Sequence, residues 1–191
     1  MKVHVFFAVQ LFAIALCDKD SEAAYETLLG IGKNIPATSD VCFSAEHNAG
    51  GRSIIQDLLT AGSAVGIAFD KARVETDHMA RIAEYQDALV NVNKLIDIMQ
   101  FKIEPQFAKA KVEAPPCIID DFKCDHQLID STGALVNKDL MILLKDSMTE
   151  AANITNPADC EKIYTDDFLE TADLICDMKK LATVVQACLS E

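Results

Sequence analysis

The chain carries seven cysteines, and their distribution constrains the fold more than any other feature. Cys17 closes the N-terminal stretch MKVHVFFAVQLFAIALC, which has the layout of an export signal. Lys2 supplies a positive start, and Val5 to Leu16 is apolar apart from Gln10. Ala15 and Cys17 place small residues at a cleavage site, and polar DKDSE follows. The apolar run is too short to span a bilayer. Residues 1–17 are therefore expected to be a signal peptide and 18–191 a single helical domain, secreted and extracellular. Six cysteines remain after cleavage: Cys42, Cys117, Cys124, Cys160, Cys176 and Cys188. An even count in an exported chain reads as a disulfide framework. Five of the six lie in the C-terminal half, so complete pairing within the chain requires Cys42 to bridge to that half.

The dominant period is helical. Ile82, Tyr85, Leu89, Val92, Ile96, Met99 and Ile103 alternate spacings of three and four, which puts one apolar stripe on one helix face. A weaker stripe precedes it through Ile55, Leu58, Gly62, Val65, Phe69, Ala72, Thr76 and Met79. A single helix from Arg52 to Glu104 would be about 80 Å long, so a break or strong bend is expected near residues 70–78. Residues 20–30 read as a short helix ended by Gly30 and Gly32. Pro105 should kink or end the second long helix, and Ala114-Pro115-Pro116 reads as a rigid linker. Asp120 or Asp121 is expected to cap a helix reaching about Asp130, with Ser131-Thr132-Gly133 as punctuation. Residues 135–152 place Leu140, Leu144, Met148 and Ala151 on one face. Asn156-Pro157 is a helix-start signal. The final helix should run to about Leu189, with an interruption near Thr165-Asp166. The fold class expected is all-α: a disulfide-braced bundle of about five to six helices, one or two of them long.

Helix geometry limits the pairing. Cys176 and Cys188 share one helix and stand about 18 Å apart along its axis. A disulfide needs Cα atoms within about 7 Å, so each must reach a partner on another element. Cys117 and Cys124 can pair only if Cys117 folds back from the proline loop. Otherwise both staple their segment to neighbouring ones.

The net charge is −13, and loss of Lys2 makes it −14. That charge repels phosphate backbones and anionic lipid surfaces, which argues against nucleic acid as a partner. No segment after the signal has eighteen uninterrupted apolar residues, so stable membrane insertion is not expected.

Motifs that could carry chemistry are weak. PPCIIDDFKCDH, residues 115–126, resembles a thiolate and carboxylate metal site, but cysteines behind a signal peptide are expected to be oxidised. Glu75-Thr-Asp-His78 has di-iron spacing without the second pair such sites need. His47 and His126 each follow an acid whose side chain points elsewhere on a helix. Asp18-x-Asp20-x-Glu22 lacks the glycine and final glutamate of a calcium loop. Gly62-Ser63-Ala64-Val65-Gly66 has the wrong spacing for a nucleophile elbow and reads as a close helix crossing. Gly30-Ile31-Gly32-Lys33 lacks two elements of a phosphate loop. Gly50-Gly51-Arg52-Ser53 reads as a helix entry. No C-x-x-C is present. Asn153-Ile154-Thr155 is an N-glycosylation acceptor beside a loop signal.

Neither a catalytic set nor a cofactor or metal site is expected. The reading that follows is a non-enzymatic binding protein acting on another extracellular protein. The alternative is a carrier of a small apolar ligand in the bundle interior, with pockets between helices. Met79, Met99, Met141, Met148 and Met178 are adaptable packing residues, and a stripe of Met and Ile is more often core than pocket.

Overall fold

The two apolar stripes become two antiparallel helices. In the computed structural model, which describes residues 41–43, 45–133 and 136–190, α1 spans Ala45–Val74 and α2 spans His78–Ile98. The expected signal peptide and the expected helix over 20–30 lie outside the described residues. The break falls at residues 75–77, and acids make it. Glu75 Oε1 accepts the N–H groups of Thr76 and Asp77 at 2.8 and 2.9 Å. Asp77 caps α2 by accepting from Ala80 N–H at 2.8 Å. The Arg81 guanidinium donates back to the Glu75 carbonyl. Exposed ion pairs Lys71–Glu84 near the turn and Lys102–Asp57 far from it accompany the antiparallel packing. The first stripe is buried from Ile55 to Ala72, but Met79 is 72 % exposed because the turn ends the stripe before it.

Pro105 has no N–H to return to the carbonyl one turn back. The helix widens ahead of it into a π-helical turn, Met99–Ile103, in which the Glu104 N–H returns to the Met99 carbonyl. A 3₁₀ turn over Glu104–Phe107 ends the element. This wide turn keeps Met99 and Ile103 fully buried and turns Phe101 outward.

Three more helices complete the bundle: α3 at His126–Gly133, α4 at Val136–Asn153 and α5 at Cys160–Cys188. Asn156 caps the 3₁₀ turn Pro157–Asp159 that leads into α5, accepting from Ala158 N–H. Among the described residues there are five α-helices and no strand. The protein is a disulfide-braced all-α bundle. The expected start of α3 at Asp120 or Asp121 is too early; Asp125 caps it by accepting from Leu128 N–H at 3.0 Å. The expected interruption at Thr165-Asp166 is absent, and α5 is continuous. Its core face runs through Ile163, Asp167, Thr171, Ile175, Met178, Leu181, Val185 and Cys188. Leu140, Leu144, Met148 and Ala151 are the buried face of α4, as their spacing implies.

Three disulfides close the bundle: Cys42–Cys160, Cys117–Cys176 and Cys124–Cys188. Cys42 does bridge to the C-terminal half. Chain-entropy arguments for loops of this length give about 4–5 kcal/mol each. Beside the first bridge, Phe43 meets the rings of Phe107 and Tyr164 edge-on at 5.9 and 5.5 Å. The Tyr164 hydroxyl donates to the Cys42 carbonyl.

The glycines sort differently from their sequence pattern. A Cβ on Gly66 would meet nothing within 4 Å, so Gly66 does not mark a close crossing. The tight position is Gly133, where a Cβ would lie 2.3 Å from the Phe69 ring. Phe69 is 3 % exposed and has little room to move. Gly133→Ala should lower stability by about 1–3 kcal/mol, read as a lower urea midpoint. Adding Phe69→Leu should recover part of the loss. An unchanged midpoint in the single variant would show that the ring yields freely.

Candidate functional site

The segment between the 3₁₀ turn and α3, residues 111–125, has no regular structure and lies along α5. Pro115 and Pro116 remove two backbone donors and push Ala114 and Pro115 away from helical geometry. Its anchors follow in order. Lys111 pairs with Glu161 at 3.1 Å, an exposed contact of little energetic weight. Cys117 is bonded to Cys176, Phe122 packs against the core, and Cys124 is bonded to Cys188.

Between these anchors the strap faces water. Ile118 is 69 % exposed and Ile119 43 %, and Asp120, Asp121 and Lys123 are exposed beside them. No backbone group of residues 112–123 is hydrogen-bonded to another described residue. The strap is therefore fixed covalently rather than by a hydrogen-bond ladder. Cys176 and Cys188 span about 18 Å of helix, while seven residue steps reach at most about 25 Å extended and about 10 Å as helix. The bridges thus favour an extended strap, and it runs parallel to α5. With the strap drawn out, α3 begins only after Cys124, at His126.

The C-terminal anchor is reinforced by a polar cluster. The Tyr85 hydroxyl lies 2.6 Å from Nδ1 of His126, and the two rings stack at 5.6 Å. With the hydroxyl donating to Nδ1, the ring hydrogen sits on Nε2 and faces the Cys124 sulfur at 3.6 Å. Burial pushes the Tyr85 hydroxyl's pKa up, and the nearby Asp130 carboxylate adds to that. Burial also raises Asp130, with Arg73, His126 and Arg81 pulling the other way. The ligand atoms of Cys124, His126 and Cys188 lie within 4.8 Å of one another. That spacing suits a soft metal ion, but the two sulfurs are bonded to each other and neither is a thiolate donor. One imidazole remains, so the cluster is an anchor.

The other residues weighed from sequence have structural roles or stand apart. Glu75 and Asp77 build the α1–α2 turn, and His78 begins α2. Asn153 is the last residue of α4, exposed, with its Nδ2 donating to the Thr149 carbonyl at 2.8 Å. All six cysteines expected to pair do so. Asp18, Asp20, Glu22 and Gly30–Lys33 lie outside the described residues.

Sequence reasoning missed the exposed pair Ile118-Ile119, which sat inside PPCIIDDFKCDH between more chemical-looking neighbours. It also missed a buried carboxylate. Asp167, on the core face of α5, is 8 % exposed. Its pKa is raised to about 7, chiefly by burial; Glu170, Glu150 and Asp166 add to the rise, and the Ser147 hydroxyl opposes it. Its Oδ2 and the Thr171 hydroxyl one turn on have no hydrogen-bond partner.

Searches against protein-family models, curated proteins and solved structures return no match for this chain.

Two outcomes follow. Thiol reduction is governed by access. Cys117 is exposed and Cys176 half-buried, whereas Cys42 and Cys160 are 4 % and 5 % exposed. Partial reduction with a phosphine, followed by alkylation and peptide mapping, should label Cys117 and Cys176 first and Cys42 and Cys160 last. Simultaneous labelling of all six would contradict this order.

The second concerns pH. Asp167 binds its proton more tightly folded than unfolded, so its contribution is greatest at acid pH. It declines as pH rises from about 4 through 7. Asp167→Asn should flatten that decline and be more stable than wild type at pH 8 by roughly 2–4 kcal/mol. Thermal melts from pH 4.5 to 8.5 read it, and parallel profiles for the two proteins would refute it.

Proposed function

We propose that this is a secreted, non-enzymatic binding protein that recognises another extracellular protein through the strap at residues 117–124. One observation carries the reading: two disulfides hold an extended segment that displays Ile118 and Ile119 to solvent. Neighbours on an extended segment point to opposite sides, so Ile118 and Ile119 offer an apolar contact on each side of the strap. A segment already held in one conformation loses less entropy on docking. The neighbouring Asp120 and Asp121, on a chain of net charge −13, favour a partner cleft that is apolar at its centre and basic at its rim.

Three disulfides among the described cysteines are consistent with an oxidising compartment. No helix among the described residues is long and apolar enough to cross a membrane. The carrier reading has less support, because Met99, Met141 and Met178 are packed within the core.

The test uses the protein purified from its native fluid and the same protein carrying Ile118→Asp and Ile119→Asp. The wild type should capture a defined extracellular protein, and the double variant should weaken that capture at least tenfold, about 1.4 kcal/mol, with an unchanged melting temperature. Equal capture would remove the strap from the interface. A co-purified lipid-like mass in native mass spectrometry would favour the carrier instead.

A further inference from the structure

The acceptor Asn153 stands on the rim of a groove that the strap does not use. The groove, about 520 Å³, lies where α4 turns into α5. Its volume is within the range of small-molecule sites, roughly 300–1,000 Å³. Ile154 and Ala158 supply apolar surface over the buried Ile163, and Glu150, Asp159 and Lys162 supply acceptors and a donor. This is a mixed lining, suited to a ligand with a hydrocarbon face and a polar edge.

A pyranose ring is such a ligand. One face presents C–H groups that pack on aliphatic side chains, while hydroxyl and acetamide groups project from the edge. Asn153 and Thr155 are both exposed, as an acceptor requires. We infer that this groove is the seat of the first sugars of an N-glycan on Asn153, an N-acetylhexosamine lying against Ile154 and Ala158 with its polar edge toward Lys162 and Glu150. The inference rests on export of the chain, as the proposal above does, and on use of the acceptor.

The tethering chemistry favours this occupant. The linkage forms at Nδ2, an atom on the groove's own rim, so the first sugar is held at high effective concentration over the lining. Nδ2 already donates to the Thr149 carbonyl. Glycosylation leaves it one hydrogen, so that bond can persist and keep the linkage oriented. The seat would also shield the entry to α5, where Cys160 carries its bridge to Cys42.

The experiment expresses the full chain in a glycosylating eukaryotic host and trims the glycan enzymatically to its first sugar. Thr155→Ala, which abolishes the acceptor but keeps Asn153, is the comparison. Intact mass should show occupancy at Asn153 in the wild type. Hydrogen exchange should then be about five- to tenfold slower over residues 150–163 in the one-sugar form than in Thr155→Ala. Lys162→Ala should keep occupancy and lose most of that protection. Absence of a glycan by mass would overturn the acceptor reading and leave the binding proposal standing. Full occupancy with equal exchange would overturn the seat alone.

Discussion

Cys176 and Cys188 stand on one continuous helix, and their spacing is a ruler for the rest of the molecule. Their partners, Cys117 and Cys124, must match about 18 Å with seven residue steps. That spacing favours an extended strap, and the two bridges hold it parallel to α5. With the strap drawn out, α3 begins only after Cys124, capped by Asp125. The third bridge, Cys42–Cys160, fastens the other end of α5 to the chain ahead of α1. All three bridges end on α5; α2, α3 and α4 pack on α5, and α1 packs on those three.

The helical hairpin supplies the opposing surface. Its sharp turn at residues 75–77 brings Tyr85 into the core with its hydroxyl directed at His126. The ring stacked there abuts the Cys124 sulfur. A residue of the long hairpin thereby braces the strap's last anchor. Packing and covalent restraint converge on the same few residues, and the exposed pair Ile118-Ile119 is what they leave uncovered. A hydrophobic pair in a loosely held loop would collapse onto the protein's own surface. Here the flanking bridges oppose that collapse, and an uncovered apolar site on a fixed frame is the property a binding surface needs.

Much of the fold was legible because helical burial leaves a period in the sequence. The stripes of α2 and α4 and the break between α1 and α2 could be read, as could the reach of Cys42 to the C-terminal half. The pairing of Cys117 and Cys124 could not, since both alternatives satisfied local geometry and only the three-dimensional course of α5 decides. The start of α3 was misplaced because Asp120, Asp121 and Asp125 are equivalent caps by residue type, and a distant disulfide selects among them. The interruption at Thr165-Asp166 was wrong for a related reason: polar residues suggest a stop, yet α5 carries Asp167 and Thr171 inward. Buried polar groups break the pattern on which sequence reading depends. The candidate strap was even less legible, because exposure of two isoleucines is a tertiary fact.

Asp167 connects these strands of argument. A carboxyl group 8 % exposed, with one oxygen unpaired, is unfavourable in its charged form. The acids that discourage its ionisation include Glu150, which also lines the groove beside Asn153. Two otherwise separate features are thereby electrostatically joined. A donor or cation placed against Glu150 from the groove side would relieve its repulsion of Asp167 and lower the cost of charging the core.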